Sequence, residues 1–141
     1  MIFGYTTGVF DMFHIGHLRV LERAKLQCDR LIVGVTTDEL SFEYKGKRPI
    51  VTFSERREIV SALRCVDITV PQDVMDKRRA WEALRFDKMF VGDDWRGTDA
   101  WEALESEFGK IGVEIVYFPY TRTTSSTQLR SVLDGLHGDG A

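Results

Sequence analysis

Two hydrophobic periods alternate along this chain. Ile2 to Thr6 and the run Leu31-Ile32-Val33-Gly34-Val35 read as strands, the second apolar enough to be covered on both sides. Between them Leu18, Leu21, Ala24 and Cys28 recur at the spacing of one helix face, so a helix starting near His17 completes a βαβ unit. A polar connection is expected from Thr37 to Pro49. Thr52-Phe53-Ser54-Glu55 then has the form of a capping box opening a helix through about Leu63. Val66 to Val70 reads as a short strand, Asp76 to Leu84 as a helix and Lys88 to Val91 as another strand. Asp99-Ala100-Trp101-Glu102 caps a helix through about Phe108, and Val113 to Phe118 is a fifth strand. Ser125-Ser126-Thr127-Gln128 caps a last helix ending near Leu136. This alternation predicts an α/β fold built on a doubly wound parallel sheet.

Composition narrows the picture without changing it. A chain of 141 residues fits one domain with a real core, and no interior segment is rich enough in Gly, Pro or Ser to divide it. The domain is read as residues 1–136, with 137–141 a small, polar tail expected to be disordered. A net charge of −3 leaves no footprint for nucleic acid, although local basic clusters can still hold a small anion. Cys28 and Cys65 lie in apolar surroundings that suit reduced, packed thiols. No apolar run is long enough to span a bilayer and no signal core follows the N-terminus, so a cytoplasmic protein without a membrane partner is expected.

The chemistry concentrates in Thr6-Thr7-Gly8-Val9-Phe10-Asp11-Met12-Phe13-His14-Ile15-Gly16-His17, between the first strand and the first helix. A strand end and a helix N-terminus that meet at a Gly-containing turn invite an anion. Two imidazoles flank Gly16, which gives a bound group room near the backbone. A single histidine at a helix start is more often a cap or a satisfied surface group; His-x-Gly-His after Gly8 and Asp11 is a more specific pattern. Structural zinc is disfavoured, because neither cysteine has ligand spacing to these histidines. In an open α/β sheet, ligands bind beyond the carboxyl ends of the strands. Val91-Gly92-Asp93-Asp94-Trp95-Arg96-Gly97 and Tyr120 to Thr127 would reach that same edge.

Those three segments, in this order, resemble the cytidylyltransferase-like branch of the HxGH nucleotidyltransferases, and most closely the glycerol-3-phosphate cytidylyltransferases. The third, Arg122-Thr123-Thr124-Ser125-Ser126-Thr127, is similar to the family's RTxGIST-type signature, and the likeness runs from about Ile2 to Leu133. It implies a Rossmann-like fold and attack by a phosphate-monoester oxygen on the α-phosphorus of CTP, with pyrophosphate leaving and no covalent protein intermediate. Such a transfer needs positioning and charge neutralisation. Mg²⁺ bound mainly through the nucleotide phosphates would help, with no metal site of the protein's own.

By the same resemblance, His14, His17, Lys47 and Arg122 are catalytic. Gly8, Val9, Phe10, Asp11, Gly16, Gly92, Asp94, Thr121, Ser125, Ser126 and Thr127 bind the nucleotide, while Lys45 and Lys77 face the acceptor phosphate. Residue chemistry alone gives blander readings of several: an exposed basic loop for Lys45 to Arg48, an Asx-type cap for Asp11, a plain helix cap for Ser125 to Thr127, core packing for Trp95. Arg56 and Arg64 match arginines of the family's middle helix and read equally well as solvated charges or dimer contacts. A homodimer is implied, with Arg64-Cys65-Val66-Asp67 and Thr52 to Arg56 as a self-complementary patch.

Two departures bear on the acceptor. Val9 stands where the family often has a hydroxyl residue, and Pro119 is followed by Tyr120, with the arginine two residues later as Arg122. Glycerol 3-phosphate is the expected acceptor and CDP-glycerol the product. Ethanolamine, choline or sugar phosphates, adenylyl transfer from ATP, and a non-catalytic nucleotide-binding module are the alternatives.

Overall fold

The computed structural model describes residues 1–119 and 126–139, with the backbone alone at 126–128 and 137–139. Five strands, β1 (Phe3–Gly8), β2 (Arg30–Thr36), β3 (Ile68–Gln72), β4 (Lys88–Gly92) and β5 (Glu114–Phe118), form one parallel sheet in the order β3-β2-β1-β4-β5. The helices are α1 (Ile15–Leu26), α2 (Asp38–Lys45), α3 (Phe53–Ser61), α4 (Lys77–Leu84), α5 (Asp99–Gly109) and α6 (Ser126–Asp139). Strand order reverses between β1 and β4, where a doubly wound sheet opens its ligand crevice.

Alternate residues of each strand feed two cores. Leu31, Val33, Val35, Phe90 and Phe118 meet Leu21 and Ala24 of α1 and Val60 of α3 on one face. Tyr5, Ile32 and Met89 meet Phe86, Trp81 and Leu84 at α4 and Phe108 and Leu104 of α5 on the other. The period-two alternation of a pleated strand thus explains why β2 shows no polar face: both faces are roofed by helices. The β1–β2 ladder holds six register pairs and the β1–β4 ladder two, so the sheet parts early at its switch point. Beyond that short ladder the buried Thr6 hydroxyl donates to the Phe90 carbonyl at 3.0 Å, closing the floor of the crevice.

Several expected boundaries move. The first helix begins at Ile15 rather than near His17, because His14 itself caps it. The connection from Thr37 to Pro49 is not irregular throughout. Thr37 accepts the Leu40 N–H at 3.2 Å and Asp38 and Glu39 occupy a first turn, so α2 forms there. The capping box at Thr52 does not form: Thr52 occupies the N-cap position without a side-chain bond, and Asp38 accepts the Phe53 N–H instead, at 3.3 Å. The third strand runs from Ile68 to Gln72 rather than from Val66. Val66 is buried before the strand starts, and the Asp67 carboxylate accepts the Leu31 N–H at 2.8 Å. Helix α5 is capped by Thr98 rather than Asp99, and α6 runs past Leu136 to Asp139. No described helix is long and apolar enough to cross a membrane.

Candidate active site

Beyond the carboxyl ends of β1, β4 and β5 lies a cavity of about 460 Å³. Its lining draws on the turn after β1, on α2 and the loop behind it, and on the segment after β4. It therefore collects Gly8, Val9, Phe10, Asp11, His14, Gly16 and His17 with Lys45, Lys47, Gly92 and Asp94, residues distant in sequence.

The turn after β1 is shaped by strain and close packing. Phe10 and Met12 adopt positive φ angles of 55° and 49°, unusual for residues with side chains. Phe10 repays that conformation by burying its ring, which meets His17 edge-on at 5.5 Å between centroids. The same ring explains Gly8, where an added Cβ would come within 2.8 Å of it. The Val9 carbonyl is held at 2.6 Å by Arg56, so the missing hydroxyl at position 9 leaves the backbone anchored.

His14 and His17 form the capping box of α1. The Gly16 N–H donates to His14 Nδ1 at 3.0 Å, and the His14 N–H donates to His17 Nδ1 at 3.2 Å. The rings stack with centroids 3.9 Å apart. Burial lowers the pKa of both, and takes His17 to about 4, with His14 adding to the fall and Asp11 opposing it. A neutral imidazole whose Nδ1 accepts carries its proton on Nε2, so the cap assigns the same tautomer to both rings and makes each a hydrogen-bond donor without charge. Gly16 thus acts through its N–H in the cap.

Asp11 lines the cavity beside the histidine turn, where its charge acts on His17. Its buried carboxylate also accepts the N–H groups of Ile50 and Val51, each at 2.9 Å. Arg56, read from the sequence as a surface charge or a dimer contact, is fully buried. Its guanidinium donates to the carbonyls of Val51, Val9 and Thr36 at 2.6 to 2.8 Å and pairs with Asp38 at 2.7 Å. One side chain thereby joins the β1 turn, the end of β2 and the starts of α2 and α3. Asp67, in the expected dimer patch, is an exposed residue that pairs with Lys25 at 2.6 Å and accepts the Leu31 N–H.

The cationic wall is made by Lys45, Lys47 and Arg48, joined by Arg130 from α6. Gly46, at φ 72°, ends α2 in the left-handed conformation and turns the chain between the two lysines. Lys47 pairs loosely with Asp134 at 3.7 Å, both well exposed, so an arriving anion can take its ammonium. Asp93, from the expected Gly92 segment, also lines the cavity, as do Ser41, Arg48 and Arg130, for which the sequence alone suggested no role there. Ser41 and Arg48 became visible only with α2 and its loop in place.

Lys77, at the start of α4, is not among the residues lining this cavity; it lines a small pocket with Tyr5, Thr7 and Gln72, and Thr7 lines both. Its ammonium lies 5.6 Å from the centre of the Trp101 ring, and burial lowers its pKa. Arg122, Thr121 and Ser125 lie outside the described residues. The backbone of Ser126 and Thr127 opens α6, without a description of their side chains. Trp95 sits in a short 3-10 turn, Asp93–Trp95, and is 56% exposed rather than packed in the core.

Comparison with known proteins agrees with this geometry. Residues 5–132 match the cytidylyltransferase-like family. The glycerol-3-phosphate cytidylyltransferase of Bacillus subtilis strain 168 is 33% identical over 139 residues, spanning 93% of this chain and 96% of that protein. The bifunctional protein HldE of Citrifermentans bemidjiense is 36% identical over 124 residues, which make up 86% of this chain and 25% of that protein. Among solved structures, the lipopolysaccharide core biosynthesis protein from Thermoplasma volcanium superposes with a TM-score of 0.71 at 28% identity, over 88% of this chain and 99% of that one.

Proposed function

This chain belongs to the cytidylyltransferase-like family, and from that premise we propose that it transfers CMP from CTP to glycerol 3-phosphate, giving CDP-glycerol and pyrophosphate. The observation that carries the reading is the reciprocal cap of His14 and His17, both of which line the cavity. As the acceptor oxygen attacks the α-phosphorus and the bond to the β-phosphate oxygen breaks, charge grows on the equatorial and leaving oxygens. Two pre-set Nε2–H donors meet that charge without reorganising.

The remaining roles follow from placement. Lys47 and Lys45 flank the Gly46 turn on the cationic wall, where they can receive the acceptor phosphate and the triphosphate. Gly8, Val9, Phe10, Gly16, Gly92 and Asp94 surround the nucleotide, and backbone groups of the Gly8 and Gly92 loops are the partners for the cytosine edge. Arg122, Thr121, Ser125, Ser126 and Thr127 bind phosphates in this reading, on the strength of the motif they share with the family. Asp11 serves the nucleotide side indirectly, through the loop it holds.

Mg²⁺ bound to the triphosphate would supply further charge neutralisation. The donor set fits an ion that arrives with the nucleotide: Asp93 and Asp94 line the cavity, and among the described residues no three His, Cys, Asp or Glu converge. Two chains form a homodimer in this reading, through the patch of Arg64 to Asp67 with the segment from Thr52, where Arg64 and Asp67 are exposed. A cytoplasmic location belongs to the same reading. A screen of CTP and ATP against glycerol, ethanolamine, choline and sugar phosphates, read by pyrophosphate release, tests the assignment. Release that requires CTP and glycerol 3-phosphate supports it.

A further inference from the structure

Lys47 and Arg48 sit on an exposed loop, yet that loop is held from three directions. Asp11 accepts the N–H groups of Ile50 and Val51 at 2.9 Å each. Arg56 Nε donates to the Val51 carbonyl at 2.8 Å. From the opposite side, Arg130 of α6 donates through Nη2 to the Arg48 carbonyl at 2.5 Å. The same guanidinium lies 3.6 Å from Asp11 Oδ2, so a carboxylate that organises one end of the loop also holds the arginine that grips the other.

The two contacts between α6 and this loop are unequal. Lys47 and Asp134 meet at 3.7 Å with their side chains 63% and 60% exposed, a pair that solvent and entropy reduce to little. Arg130 is only 22% exposed and faces a carboxylate that is 8% exposed, so solvent screens that ion pair far less. One guanidinium nitrogen, Nη2, makes both contacts, to the Arg48 carbonyl and towards Asp11. Arg130 also lines the cavity, so the tether lies beside the anion site and not behind it.

We propose that Arg130 is a positioning residue for acceptor binding: by fixing the Arg48 carbonyl against α6 beside Asp11, it sets the Lys45-Gly46-Lys47 turn over the His14 and His17 pair. The inference rests on the reading of Lys45 and Lys47 as phosphate ligands. Without the tether the loop is free to wander before binding, and the cost of ordering it again falls on association. Chemistry at saturation is left nearly alone, because the loop is ordered again once substrate is bound.

Two measurements on Arg130→Ala and Arg130→Lys test this. Amide hydrogen exchange of Ile50 and Val51 in the ligand-free protein reports the tether without any reaction. Steady-state kinetics separate KM for the acceptor from kcat. Loss of one charge-assisted bond predicts exchange faster by about tenfold in Arg130→Ala, with the acceptor KM raised about tenfold and kcat within about threefold of the parent. Arg130→Lys should fall between the two, and it carries the same readouts if the alanine variant folds poorly. Unchanged exchange in both variants overturns the proposal, as does a fall in kcat at constant acceptor KM. Should the parent chain transfer no nucleotide to any acceptor, the functional reading fails, while the exchange rates still decide whether Arg130 holds the loop.

Discussion

His14 and His17 cap one helix together: the main-chain N–H of His14 donates to the His17 ring at 3.2 Å, and the two rings stack at 3.9 Å. The motif is thus at once a helix start and a pair of oriented donors. Its two functions can be separated, because asparagine caps helices well but has no imidazole. His14→Asn is expected to keep the melting temperature within a few degrees of the parent and to lose about 10²-fold in kcat, the scale for one preorganised donor, with KM for CTP little changed. Melting curves beside steady-state kinetics check it; a variant that melts normally and turns over normally contradicts the role given to His14.

A second prediction concerns protonation. His17 has a folded pKa of about 4, below the value near 6.5 of an unfolded histidine, so the unfolded chain takes up a proton first as pH falls. The stability contributed by burying the neutral ring is therefore present above about pH 6.5 and lost progressively between about 6.5 and 4. Carbon-13 titration of the ligand-free protein should show the His17 ring still neutral at pH 5.5. Urea midpoints should fall over the same window, and less steeply in His17→Gln.

Arg56 yields a prediction about stability. Its side chain is fully buried and serves three carbonyls and Asp38. Arg56→Leu would strand those carbonyls and leave the carboxylate without its cation, a loss of about 3 to 5 kcal/mol. Urea denaturation followed by tryptophan fluorescence measures it, and a loss under about 1 kcal/mol would show that water replaces the clamp.

Assembly is open to a direct mass measurement. Light scattering at micromolar concentration is expected to give twice the 16.2 kDa chain mass. A mass equal to one chain, at concentrations where activity persists, removes the dimer from the account.

Much of this site could be read before the fold was seen, and the reason is local. The turn from Gly8 to His17 and the segment at Gly92 each place their groups within a few residues of a strand end, so strand and motif together locate them. What escaped depends on contacts between distant segments. Arg130 reads as an ordinary charge on a helix, and only folding brings it to Asp11 and Arg48. Arg56 has the same appearance, since its partners come from three separate stretches, at Val9, at Thr36 and Asp38, and at Val51. Helix α2 buries only Leu40 and Ser41, too little for a hydrophobic period, although the Thr37 cap was present in the sequence. Lys77 lines a smaller pocket that shares Thr7 with the main cavity, a neighbourhood that only the folded strand ends create.

The most direct test is to identify the product. CTP carrying oxygen-18 at the non-bridging oxygens of its α-phosphate, incubated with Mg²⁺ and glycerol 3-phosphate, should yield CDP-glycerol that retains the label, together with unlabelled pyrophosphate, by phosphorus-31 NMR and mass spectrometry. A site built to pair with the cytosine edge leaves polar groups unmatched by adenine, so kcat/KM with CTP should exceed that with ATP by at least about 10²-fold. Equal or better use of ATP, or no pyrophosphate from CTP with any phosphorylated alcohol, would contradict the assignment.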